Sequence, residues 1–87
     1  MKIRGLSIVA LDDSKLNELV SKFTKLDNVC VSIESSLYGE GVHDVVIFAP
    51  YVCIQSSDVF EYSISVISNG KVEGLILKDK DIVKFDI

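Results

Sequence analysis

The sequence predicts a small α+β domain whose elements follow the order β-α-β-β-α-β. Three observations lead there. Residues 15–26 place Leu16, Leu19, Val20, Phe23 and Leu26 at helical spacing, one apolar face against a polar one. Two β-branched runs, 29–33 and 45–49, are separated by a stretch too short for the parallel crossover, which usually takes about a dozen or more residues. A second helix-to-strand unit is then predicted from residue 58 onward. This order is that of the ferredoxin-like plait, a four-stranded antiparallel sheet with both helices on one face.

The first strand is predicted over residues 3–11, apolar apart from Arg4, Gly5 and Ser7 and so buried on most of both faces. Asp12, Asp13 and Ser14 stop it and offer N-cap oxygens to the helix at 15–26. Glu18 and Lys22 form an i,i+4 pair on its polar face, and Asp27-Asn28 ends it. Val29, Val31 and Ile33 alternate with Cys30, Ser32 and Glu34, as in a half-buried strand. Gly39 and Gly41 bracket Glu40, which makes a poor helix and a good turn, so an antiparallel hairpin into 45–49 is expected. Residues 51–57 read as a loop after Pro50.

Residues 58–68 fit two periods. As a helix, Asp58 and Glu61 stand at capping-box spacing, Val59, Phe60, Ser63, Ile64 and Ile67 share a face, and Asn69-Gly70 stops it. As a strand, Phe60, Tyr62, Ile64 and Val66 alternate and Asn69-Gly70 becomes a hairpin turn. The rhythm of the first half favours the helix, which is the reading taken. Residues 72–77 form a strand in either case, 78–81 a charged turn, and Val83, Phe85 and Ile87 an edge extension.

The totals narrow the function classes. Eighty-seven residues predict one domain spanning 1–87. A chain this short buries only about 60–65% of the surface its unfolded form exposes, so oligomerisation is a ready source of further burial. The net charge of −4 and pI near 4.7 argue against direct nucleic-acid binding, which needs Lys and Arg against phosphate. No apolar run is long enough for a membrane span, and the start Met1-Lys2-Ile3-Arg4 lacks a signal-peptide core. Cys30 and Cys53 make neither a disulfide framework nor a metal spacing, so reduced thiols and a cytoplasmic setting are expected.

No catalytic constellation is expected, and no metal or cofactor. Asp12-Asp13 follows a strand, where acidic pairs hold Mg²⁺ in phospho-receiver domains, but helix capping explains the pair as well. His43 and Asp44 are adjacent in a strand entry and would point to opposite faces, which does not suit an acid–base pair. Cys53 reads as a small hydrophobe rather than a reactive thiol. No phosphate-binding glycine loop is present. The Gly41-Val42-His43-Asp44 turn, opening onto a buried strand, is the candidate ligand site, because its glycine leaves backbone N–H groups approachable.

Three segments resemble the effector-binding, or RAM, domain of the Lrp/AsnC family of amino-acid-responsive regulators. Residues 16–29 resemble its first helix and the run into its second strand. Residues 41–46, Gly-Val-His-Asp-Val-Val, resemble its glycine–aspartate signature. Residues 69–77 resemble the entry into its last strand. The resemblance implies a non-enzymatic, ligand-binding domain with a role in transcription regulation. It implies a homodimer or higher homo-oligomer and an amino-acid effector held at an interface by Gly41, His43 and Asp44. The family's DNA-binding helix-turn-helix has no counterpart in this chain. A flavodoxin-like parallel α/β fold is the alternative, because residues 44–55 and 60–77 also resemble the second half of a phosphotransferase-system IIB protein. A receiver-like domain is a further form of that alternative. That IIB family's phosphate-carrying cysteine after the first strand is missing from residues 7–14, so such a domain would lack its phospho-acceptor.

Overall fold

Apolar–polar alternation, more than helical periodicity, shapes this chain. A computed structural model describes residues 4–58, 61–78 and 81–86. In chain order its elements are β1 (Arg4–Asp12), α1 (Asp13–Phe23), β2 (Cys30–Ser35), β3 (Val42–Ala49), β4 (Tyr51–Asp58), β5 (Glu61–Ser68), β6 (Lys71–Lys78) and β7 (Ile82–Asp86). The strands form two sheets. Sheet A has the order β2-β3-β1-β7 and sheet B the order β4-β5-β6, with every pairing antiparallel.

The helix starts where its N-cap predicts. The Asp12 carboxylate accepts the Lys15 N–H at 2.9 Å, Asp13 lies in the positive first turn, and Lys22 lies in the last. The Glu18 carboxylate reaches Lys15 at 3.4 Å and Lys22 at 3.7 Å on the solvent side. Leu19 and Phe23 are buried, with Leu16 and Val20 packed against the core beside them. The helix ends at Phe23, short of the expected Leu26, and Thr24 returns its N–H to the Val20 carbonyl. Leu26 stays buried beyond the last turn.

The hairpin prediction holds: β2 runs antiparallel to β3, pairing Val31 with Ile47 and Ile33 with Val45. The ferredoxin-like plait does not, and neither does the parallel flavodoxin-like alternative. Sheet A is four-stranded and antiparallel, but its fourth strand is the C-terminal β7, paired with β1. The second helix is absent from residues 61–68, which form β5, while Val59 and Phe60 lie outside the described residues. The expected loop at 51–57 is strand β4, with Val52 opposite Val66 and Ile54 opposite Ile64. Asn69 and Gly70 decide the matter physically. Their φ values of 54° and 77° are both positive, as a type I′ hairpin turn requires, so β5 folds directly back on β6. Of the tail residues expected at an edge, Val83 and Phe85 pair with Ile8 and Leu6, and Ile87 lies outside the described residues.

Pro50, the residue between β3 and β4, marks where the chain leaves sheet A for sheet B. It offers no N–H to either ladder, which suits a strand break between two sheets. The core lies between the sheets and under the helix: Leu6, Ile8, Val45 and Ile47 from sheet A, Ile64, Val66, Leu75 and Leu77 from sheet B, Leu19 and Phe23 from α1. The helix touches β1 and β3 on one side and β6 on the other. Three polar contacts fasten the helix and the turn after it to sheet B and its β5–β6 turn. Lys22 Nζ donates to the Gly74 carbonyl at 2.9 Å, Ser68 donates its hydroxyl to the Asp27 carbonyl, and Asn69 Nδ2 donates to the Asp27 carboxylate at 3.3 Å. Among the described residues no helix is long and apolar enough to cross a membrane.

Candidate functional site

Gly41, His43 and Asp44 lie where the β2–β3 hairpin enters the middle of sheet A. His43 stands between Leu11 of β1 and Ser35 of β2, and Val42 faces Asp12. This brings the predicted turn against the start of α1. His43 Nε2 lies 2.6 Å from Asp13 Oδ1. An ionised carboxylate only accepts, so Nε2 is the protonated ring nitrogen in this contact. The imidazole thereby braces β3 against the first turn of the helix.

Asp44 faces the other way and has its own structural task. Ile8 pairs with Val45 and Leu11 with His43, so Val9 and Ala10 together oppose Asp44 alone. This two-against-one count is a β-bulge. Ala10 takes a left-handed φ of 60°, and its N–H donates to Asp44 Oδ1 at 3.3 Å. The carboxylate satisfies a backbone donor that the irregular ladder leaves over. Gly41 has φ +74° and nothing within 4 Å of where a Cβ would stand. Its requirement is backbone conformation, not room for a neighbour.

The three predicted residues are thus gathered at one corner, with both ionisable side chains engaged inside the chain. Asp12 and Asp13 lie beside them as N-cap and first-turn residue. Among the described residues no group of three His, Cys, Asp or Glu side chains is arranged to hold a metal ion, and no pocket is found. Cys53 lies half-buried in β4, and Cys30 is exposed on β2.

What the sequence reading passed over is a set of exposed apolar surfaces. On the outer face of sheet B, Tyr51, Ile67 and Val72 stand side by side in register, and Ile76 lies four residues along the strand from Val72. Val72 is 58% exposed, and Tyr51 and Ile76 about half. On sheet A, Ile33 and Phe48 are partly uncovered, and in the hairpin tip Leu37 is 99% exposed. The signal for the tip was the pair Leu37-Tyr38 set directly before Gly39 in the turn, an apolar pair where polar residues are usual. None of the family models, curated proteins or solved structures compared with the chain matches it.

Proposed function

We propose that the chain is a non-enzymatic assembly domain that self-associates through the outer face of sheet B. The observation that supports this reading is the in-register row Tyr51–Ile67–Val72 with Ile76 on the same face. Charge favours a second copy as the occupant. At one end of that face Glu61 forms an ion pair with Lys78 and stands opposite Asp58 in the register, while Cys53, Ser65 and Gly74 lie beside the apolar row and Gln55 and Ser63 beyond them. The immediate neighbours of the apolar row are uncharged, so two copies of a chain carrying −4 can meet across the row without opposing like charges there. The small core supplies the drive, since a domain of this length leaves much of its apolar surface uncovered.

Sedimentation velocity tests it. The wild-type chain is expected to sediment as a dimer or larger species at micromolar concentration. Val72→Lys combined with Ile76→Lys is expected to shift it to monomer with an unchanged circular dichroism spectrum. A wild-type monomer at every concentration overturns the reading. The amino-acid effector implied by the RAM resemblance is not invoked, because His43 and Asp44 already have partners within the chain.

A further inference from the structure

The β2 edge differs from the other edges of the molecule. Only β3 lies beside it in sheet A, so its outward backbone N–H and C=O groups face no described strand. Edges of this kind are ordinarily blunted by lysine, proline, a bulge or a covering element. β2 contains neither lysine nor proline, and its pairing with β3 is regular. By contrast β6, at one edge of sheet B, receives Lys22 from the helix on its Gly74 carbonyl. Five of the six β2 residues are exposed. Ile33 continues the core-side row begun by Ile8 and Val45, yet it remains uncovered, and Leu37 and Tyr38 extend the apolar ledge past the strand end.

Charge says what fits beside this ledge. From residue 26 to residue 70 the chain has no Lys or Arg, while Asp27, Glu34, Glu40, Asp44, Asp58 and Glu61 all fall within it. Glu34 is on β2 and Glu40 in the hairpin, both exposed and without an ion-pair partner among the described residues. We infer that β2 and the Leu37–Tyr38 tip take up an extended segment of a partner protein in which apolar residues alternate with Lys or Arg, added to sheet A as a new edge strand. Strand alternation sorts such a segment: its apolar residues lie on the Ile33 face and its cations on the Glu34 face. A second copy paired β2 to β2 would bring its own Glu34 and Glu40 to the seam with no cation to meet them. Anionic lipid and nucleic acid are disfavoured by the same charges.

The inference is independent of self-association through sheet B, and the test keeps the two apart. A fluorescent probe peptide of alternating Val and Lys is titrated into the full chain by anisotropy, beside the same peptide with Glu for Lys. The lysine peptide is expected to bind roughly tenfold tighter or better, with the preference falling as salt rises. Glu34→Lys with Glu40→Lys, and separately Leu37→Ser, are expected to weaken it. Leu37 is fully exposed, so its substitution leaves folding intact. Val72→Lys with Ile76→Lys is expected to leave peptide binding unchanged. Backbone amides 30–35 should exchange more slowly with the peptide bound. Equal binding of both peptides, insensitivity to the β2 and tip variants, or unprotected 30–35 amides overturns the inference. So does loss of self-association on Leu37→Ser, which would make the occupant a second copy.

Discussion

Asp44 shows how a residue that reads as a ligand can be wholly occupied by the backbone. Its partner, the Ala10 N–H, exists only because β1 carries one residue more than β3 can pair. No local pattern announces that bulge, since Ala10 lies inside an apolar run that reads as regular strand. Left-handed alanine costs on the order of 1 kcal/mol relative to a relaxed strand, and the carboxylate contact helps to hold it. Asp44→Ala is expected to lower stability by about 1–2 kcal/mol through the freed donor, read from urea unfolding. An unchanged midpoint would mean that water replaces the carboxylate at no cost. His43 is comparable. The sequence placed it at a strand entry, but its neighbour Asp13 is distant along the chain and meets it only when β3 lies beside β1.

At the scale of elements, the legible ones were those whose determinants lie within a few residues. The α1 N-cap, its apolar face and the β2–β3 hairpin all followed from local chemistry. Residues 58–68 were ambiguous because apolar side chains there satisfy both a period of two and a period of 3.6. The helical rhythm of the first half was the wrong arbiter, and the Asn69-Gly70 turn was the right one. β4 was missed for a related reason: Pro50 reads as the start of a loop, when it is a single-residue corner between two strands. Gly70 has φ +77°, so Gly70→Ala is expected to destabilise by about 1 kcal/mol. Amide exchange should quicken first at the turn end of β5 and β6. Exchange quickening equally in β2 and β3 would show that the β5–β6 turn has no local role.

For the whole molecule, the helix is the common wall of both sheets. Phe23 is fully buried on it, and α1 touches β1, β3 and β6. Phe23→Ala is therefore expected to cost about 3–5 kcal/mol, a large part of the roughly 5–15 kcal/mol that holds a domain together. Sheets A and B should then lose protection together in hydrogen exchange. Loss confined to one sheet would show that they unfold separately. The exposed surfaces also belong to this scale, because they are what remains after each strand has found its sheet.

The sequence by itself determined the α1 helix, its N-cap and the antiparallel sense of the β2–β3 hairpin, and it offered the Asn69-Gly70 turn as one of two readings. These rest on hydrogen bonds and φ preferences among near neighbours. Only the tertiary structure decided that the strands divide between two sheets, that β7 closes against β1, and that Gly41, His43 and Asp44 brace a corner. Strand pairing joins residues far apart in the chain, and an apolar alternation states that a strand will be buried without stating which partner will bury it.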